Sequence, residues 1–398
     1  MLLRFVTSIW NKPDGLACRI AVKLPGRLGM AARSFLAKRS HPGLQVDLVE
    51  QRWMSELVRV LADGATLGRY RHLLLFLHKG VYDWAVARRV AVLKPDVVVG
   101  YEISCARTFA SAKRIGAVTV LDLAGLHHDF TAAIAGRYGV GGGSSRLDDR
   151  LRARKQRELM LADHILTISQ LASDTLVAHG IERERISVVP LGVSLGTFQP
   201  KSNYRQSGPF RVLFVGNLSL AKGVDKLLEA FRELALPDAE LVLVGSHAER
   251  TFLEGYEGLY SHIPYLAHSE LAAEYQRADV FVLPTLFDSW GLVVTEAMAC
   301  GTPVIITENC GAKEVVSPDR GWVVAAGDVE ALKSAIWSAY ENRQQLAQMG
   351  RNARAGVEGL DWDGYHKAVA ERVSAVWSQA VAHRGGGEMA SPARSITT

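Results

Sequence analysis

Short apolar, β-branched runs recur along the chain, separated by longer segments whose apolar positions repeat every three or four residues. In the first half the runs lie at 2–6, 46–50, 96–100, 118–123, 164–169 and 186–190. In the second half they lie at 210–216, 240–245, 279–284, 303–307 and 321–325. Runs such as VLFV and VFVL show no polar alternation, which suits strands buried on both faces of a sheet. Strands that alternate with helices pair in parallel through right-handed crossovers. The pattern occurs twice, so the chain predicts an α/β protein of two doubly wound, Rossmann-like domains. The polar, breaker-rich stretch at 200–209 reads as a linker. It divides an N-terminal domain, 1–200, from a C-terminal one, 201–362. A final helix over 363–382 carries Tyr365, Val369, Val373, Trp377 and Val381 as one apolar face that would pack back on the first domain. The Gly- and Ser-rich tail, 384–398, has no periodicity and predicts disorder.

Composition agrees with this picture and narrows it. The chain has 398 residues, 48% hydrophobic and 22% charged, enough for two domains with cores of their own. Cys18, Cys105, Cys300 and Cys310 form no CxxC pair, so neither a disulfide scaffold nor a cysteine-rich zinc site is expected. Such thiols suit a reducing cytoplasm. The start, MLLRFVTSIW, reads as a first strand rather than a signal peptide, and no apolar run is long enough to cross a membrane. The net charge of +5 hides an asymmetry. Residues 1–200 carry 28 Lys and Arg against 17 Asp and Glu; the remainder carries 18 against 24. A basic half next to an acidic half meets different partners, with nucleic acid, anionic lipid and an anionic substrate all open at this point.

The common nucleotide fingerprints are missing. "GK" never occurs, so there is no P-loop. GVGGG at 139–143 follows no strand and lacks the acidic residue of a dinucleotide fold. No HExxH ladder occurs among the 12 histidines. The informative segment is DVFVLPTLFDSWGLVVTEAMACGTPVIITENCGAKEVV, 279–316, which reads strand, loop, helix, strand, loop. A helix starting at Gly291 would offer free N–H groups and its dipole to phosphate oxygens, and glycine lets the backbone approach a ligand closely. Glu296, in the otherwise apolar LVVTEAMA, needs partners that ribose hydroxyls would supply. Asp288 could grip hydroxyls of a second sugar. Either carboxylate alone reads as an acid complementing a helix dipole. Two of them eight positions apart, bracketing a glycine at a helix start, favour the ligand.

The same segment resembles the signature of retaining glycosyltransferase family 4, an acidic residue, seven positions, a glutamate, then AMACGTPVI. FVGNLSLAKGVDKLLEAF (214–231), VVPLGVSLGTFQP (188–200) and ELMLADHILTISQ (158–170) extend the resemblance over about 155–345, with Glu158 and Ser169 supporting the fold. It implies a GT-B fold: two Rossmann-like domains facing across a cleft, the donor held mainly by the second. It implies that Lys222 holds the donor diphosphate, that Glu296 binds ribose, and that Gly216, Gly291 and Leu292 complete the donor site. Asp288 stands for a residue that is usually Glu and approaches the transferred sugar. Asn217 stands where the family often has arginine and cannot give its bidentate contact. In VLDLAGLHHDF (120–130), His127 or His128 would lie near the sugar hydroxyls, either of the two.

The expectation is therefore a retaining hexosyltransferase that uses a nucleoside diphosphate sugar, with Asp288, His127 and His128 as catalytic candidates and no cofactor or metal. A nucleotide-sugar epimerase on the same fold and a non-catalytic sugar-nucleotide sensor are the alternatives. The acceptor would be a glycan or a lipid-linked hydroxyl in surface glycan assembly. Residues 1–45 hold eight Lys and Arg and one acid, Asp14. LGMAARSFLAK, 28–38, reads either as the first Rossmann helix or as a basic rim, with Arg33, Lys38 and Arg39, that meets an anionic membrane. The arginines lack interleaved aromatics, which argues against nucleic acid. The expected location is the cytoplasm, with peripheral contact at the inner face of the plasma membrane.

Overall fold

The computed structural model describes residues 4–7, 23, 46–51, 71–140, 146–204, 208–247 and 251–385. Arg33, Lys38 and Arg39, the whole of the 28–38 segment and residues 386–398 of the tail lie outside the described residues. The chain forms two compact units, Met1–Asp122 with Ser144–Asp163, and Leu123–Gly143 with His164–Thr398.

In the first unit β1 (Phe5–Thr7) pairs in parallel with β2 (Val49–Gln51), and β3 (Val97–Tyr101) with β4 (Val118–Leu123). The helix Ala106–Arg114 has no side-chain cap of its own at Cys105. Two acids supply it from elsewhere. Glu158, fully buried, accepts from the N–H groups of Ile103 (2.6 Å), Cys105 (2.9 Å) and Ala106 (3.1 Å). Asp83 accepts from those of Arg107 and Thr108, both at 2.9 Å. Orphan donors of the first turn are thereby satisfied, and negative charge sits where the dipole favours it. Burial pushes the Glu158 carboxyl up while its backbone donors pull it back.

In the second unit β5 (His164–Thr167) and β6 (Ile186–Val188) also pair in parallel. Ser169 caps the helix Gln170–Ala178 by accepting from Ala172 N at 3.0 Å. Six strands follow: β7 (Phe210–Val215), β8 (Ala239–Val244), β9 (Tyr260–Ile263), β10 (Val280–Leu283), β11 (Val304–Thr307) and β12 (Gly321–Val324). They form one parallel sheet in the order β12-β11-β10-β7-β8-β9. Counted within the sheet this is the doubly wound order 3-2-1-4-5-6, which reverses between its first and fourth strands, β7 and β10. Both are almost wholly buried, as their unbroken apolar sequences require.

Three details differ from the sequence expectation. β9 was not anticipated: YSHI holds a single aliphatic residue, and as one of the two edge strands it is largely half-buried, so no apolar run marks it. The last helix runs Trp362–Gly385. Its half-buried positions include Tyr365, Val369, Val373, Val376 and Ala380, whereas Trp377 and Val381 are exposed. A strict four-residue step drifts around a 3.6-residue helix, and the buried face follows mixed steps of three and four instead. Finally, Lys201, read as part of a solvated linker, is buried. Its backbone N–H donates to Cys300 O at 3.0 Å and its ammonium to Ala278 O at 2.8 Å. Burial brings its pKa down to about 8.

One glycine sets how closely two loops of this sheet approach. Gly223, after the turn Leu220–Lys222, has φ 68°, and a Cβ there would overlap the Pro284 carbonyl oxygen. Gly223→Ala combines a left-handed strain with a backbone clash. It should cost about 2–4 kcal/mol in urea unfolding. A variant within about 0.5 kcal/mol of the parent would show that the approach is not tight.

Candidate active site at the strand-order reversal

A reversal of strand order leaves a crevice at the carboxyl ends of the two strands beside it. A cavity of about 290 Å³ lies there, and all its lining residues belong to the second unit. Val215 ends β7 and Gly216 follows it, Leu283 ends β10, and Ile168, Leu191 and Ala124 add apolar wall. Lys222 and residues 288–293 complete it. A mostly apolar lining with a few convergent polar groups is the usual make-up of a small-molecule site.

The polar groups are held firmly. Lys222 Nζ donates to Asp288 Oδ2 at 2.6 Å. The other Asp288 oxygen accepts from Trp290 N at 3.3 Å. The backbone of this loop is laced to the next one: Asp288 N to Asn309 O (2.9 Å), Gly311 N to Asp288 O (3.0 Å) and Ala312 N to Trp290 O (2.8 Å). The buried Cys310 thiol also donates to Trp290 O at 3.1 Å, and burial pushes its pKa far up, so it stays neutral. Gly291 has φ 86°, and a Cβ there would come within 2.8 Å of Cys310 Sγ. Glycine at this position is thus required by conformation and by space. It precedes the helix Leu292–Ala299, whose N-terminus has no side-chain cap. Uncapped N–H groups beside a lysine make an anion site.

Glu296 is not among the cavity-lining residues. It sits four positions beyond Leu292, one turn along the same face. Its Oε2 accepts from Tyr275 Oη at 2.9 Å. Burial raises its pKa, while the phenol and His268 pull it down. Gly216 lines the cavity; Asn217, next along, lies outside the lining and accepts from Ser246 Oγ at 3.4 Å. His127 and His128 also lie outside it, both buried. His127 caps the helix His128–Arg137, its Nδ1 accepting from Asp129 N at 3.2 Å, and its ring stacks between His128 (4.2 Å) and His179 (4.1 Å). Neither histidine is distinguished by the fold as facing a ligand. Among the described residues, His127, His128 and Asp129 have ligand atoms within 4.8 Å of one another. The His127 Nδ1 already serves as a cap, which leaves that trio a poor metal chelate.

The structure therefore brings together Gly216, Lys222, Asp288, Gly291 and Leu292, with Glu296 one turn away. It adds three residues that sequence reasoning missed. Trp290, 1% exposed, forms cavity wall; its place just before Gly291 was the available signal. Cys310 braces the loop, and Tyr275 holds Glu296. No spacing rule links Tyr275 to a residue 21 positions on, across a strand and a loop. The Lys222–Asp288 pair was not foreseen either, since each side chain was read against a ligand.

Comparison with known proteins agrees with this geometry. The profile of Glycosyl transferases group 1 matches residues 197–356, and that of Glycosyltransferase Family 4 matches 36–196. A D-inositol 3-phosphate glycosyltransferase of Paenarthrobacter aurescens is 29% identical over 235 residues, covering 53% of this chain and 58% of the relative. An MMP alpha-(1->4)-mannosyltransferase of Mycolicibacterium hassiacum is 31% identical over 230 residues, covering 55% and 54%. The matches thus span a little over half the length of these curated relatives. Among solved structures, Anabaena HepE in complex with UDP superposes with a TM-score of 0.64 at 18% identity, over 94% of this chain and all of that one. At that identity the likeness concerns the fold, which is GT-B with two Rossmann-like domains.

The raised pKa of Glu296 has a thermodynamic consequence. With its folded pKa above the unfolded value near 4.5, the native state binds the proton more tightly. Stability from this group then falls as pH rises through that window, and the penalty is complete above the folded pKa. Glu296→Gln removes the penalty and keeps an acceptor for Tyr275. Its melting temperature at neutral pH should equal or exceed the parent's, with the gap closing below about pH 4.5. A variant clearly less stable at neutral pH would mean that the carboxylate serves the fold.

Proposed function

The chain belongs to the group 1, family 4 glycosyltransferases, and from that premise we propose that it transfers a hexose, with retention, from a nucleoside diphosphate sugar to a hydroxyl acceptor. The observation that carries the reading is the cavity at the strand-order reversal, where an ammonium and an uncapped helix N-terminus converge beside a carboxylate. In this reading the donor diphosphate lies between Lys222 and the N–H groups after Gly291, which stabilise the charge that develops on the leaving group. Glu296, one turn along, takes the ribose hydroxyls. Asp288 receives hydroxyls of the transferred hexose, and the Lys222 ammonium turns from Asp288 to phosphate. The bond from C1 to the diphosphate breaks, the bond from C1 to the acceptor oxygen forms on the same face, and the acceptor proton passes to the departing diphosphate. His127 and His128 enter this reading as neighbours of the sugar hydroxyls, and Asn217 offers an amide where an arginine is common. No cofactor or metal is part of it. HepE, solved with UDP and with UDP-glucose, supports a nucleotide sugar as donor.

The acceptor in this reading is a glycan or lipid-linked hydroxyl, reached from the cytoplasmic face of a membrane. Support comes from the basic first half and from the helix Arg71–Leu93, on which Leu73, Leu77, Val81 and Trp84 are exposed at steps of three and four, with Arg88 stacked 3.8 Å over Trp84. No described helix is long and apolar enough to cross a membrane. Nucleic acid is not a partner in this reading.

Two measurements test it. Lys222→Ala should weaken nucleoside diphosphate binding about ten- to a hundredfold by calorimetry, as expected for losing a charge-assisted contact. Asp288→Asn should strengthen binding of the diphosphate alone, because the carboxylate no longer competes for the lysine, yet abolish acceptor-dependent diphosphate release. Parental affinity in Lys222→Ala refutes the phosphate assignment, and binding without acceptor-dependent turnover in the parent leaves a sensor. On the acceptor side, co-sedimentation with anionic liposomes should fall steeply as salt rises. Equal binding to neutral and anionic liposomes at low salt removes the membrane from the account.

A further inference from the structure

One buried polar contact outside the cavity ends on Glu296. Tyr275 lies on the helix His268–Arg277 and is wholly buried. Its ring is held edge-on by Phe198 (5.9 Å between centroids) and by Phe281 (5.7 Å), and its carbonyl accepts from Thr302 Oγ1 at 2.6 Å. A ring fixed on these sides delivers its hydroxyl to one place, Glu296 Oε2 at 2.9 Å. Glu296 itself is half-buried, and its second oxygen has no hydrogen-bond partner among the described residues. A half-buried carboxylate fixed through one oxygen, with the other unengaged, is arranged to receive an outside donor.

We propose that Tyr275 is a positioning residue: by binding one oxygen of Glu296 it aims the other at the nucleoside's ribose hydroxyls, and so sets the preference of the site for ribonucleotides over 2′-deoxyribonucleotides. This rests on the reading of Glu296 as the ribose ligand. Without the phenol the carboxylate is free to turn between rotamers, and binding the ribose then costs the entropy of fixing it. A site built to hydrogen-bond a hydroxyl discriminates strongly against the analogue that lacks it, but only while the acceptor stays in place. The phenol also favours the ionised carboxylate. The titratable groups that face Glu296 are Tyr275 and His268 from the helix His268–Arg277 and Cys300 at the end of its own helix. His268 and Cys300 are unchanged when Tyr275 is replaced, so a shift of the pH profile reports the loss of the phenol.

The test compares UDP, GDP and ADP with their 2′-deoxy forms by calorimetry across pH 5–8. The parent should bind at least one ribose form about tenfold or more above its deoxy form. Tyr275→Phe and Tyr275→Leu both remove the hydroxyl, and either one that folds by melting analysis suffices. Each should bring the ribose preference towards unity while the deoxy affinity stays near the parent's. In each, binding of the ribose form should be lost at a higher pH on the acid side. In the Glu296→Gln background the same changes should have no further effect on the preference, since coupled residues do not add. A folded Tyr275 variant that keeps the parent's ribose preference and pH profile overturns the inference and leaves the donor site standing. Failure of the parent to bind any of the diphosphates, or an unchanged preference in Glu296→Gln, overturns the reading of the site itself.

Discussion

A doubly wound parallel sheet cannot close over the point where its strand order reverses. The crossovers from β7 and from β10 leave on opposite faces, so the loops after them part and a crevice opens between. Every feature of the cavity follows from that constraint. The strands beside it, β7 and β10, are buried on both faces and register-locked by their neighbours, so they serve as fixed posts. The loops that leave them carry Gly216 and Lys222 on one side and Asp288 to Leu292 on the other. Gly223 lies against Pro284 and Gly291 against Cys310, so the loops come as close as backbone atoms permit. The lysine and the helix N-terminus thereby share one small space.

Concentrating positive potential in a mostly apolar crevice is costly when no anion is bound. The Lys222–Asp288 pair resolves this locally, since the ammonium is matched by a carboxylate 2.6 Å away that belongs to the same crevice. The pair is partly exposed on both sides, so it contributes little to stability. In the proposed reading its importance is one of exchange. A diphosphate can take the lysine only as Asp288 finds other partners, and a sugar carried by the same diphosphate brings hydroxyl donors to it. Complete donor would then satisfy both groups, whereas a diphosphate without its sugar would leave Asp288 unmatched. On that reading the asymmetry would favour retention of substrate over product.

What could be read from the sequence divides along physical lines. Buried parallel strands announce themselves, because burial on both faces forces continuous apolar runs; β7, β10 and β11 were legible for that reason. β9 was not, because an edge strand is half-solvated and needs no such run. Glu296 and Asp288 were legible because carboxylates in or beside an apolar helix start demand an explanation. Tyr275 was not, because a tyrosine in an amphipathic helix reads as core, and here it is core, except for one hydroxyl. The pairing of Lys222 with Asp288 spans 66 positions and two strands. Local spacing carries no information about it; only the sheet order brings the two together. The final helix shows a subtler limit. Its residues were found, but a face drawn at strict four-residue steps drifts from the one that is half-buried.

The two acids of the site illustrate how environment divides the work between like groups. Asp288 faces a cation, and the backbone on both sides of it is tied to the loop of Asn309 and Gly311. Glu296 makes no ion pair among the described residues; a neutral phenol is its hydrogen-bond partner there, and burial raises its pKa against the pull of that phenol and of His268. In the proposed reading the first exchanges one ionic partner for hydroxyls, and the second adds hydroxyls to an unfilled shell. Evolution of a fold for stability alone would favour filling or neutralising the second site, since a half-buried carboxylate whose pKa is raised is a net cost at neutral pH. Its presence beside a clamped tyrosine is the kind of local conflict found at binding sites. The destabilising group and the residue that orients it then form one device, with the rigid aromatic packing around Tyr275 spent on the direction of a single carboxylate oxygen.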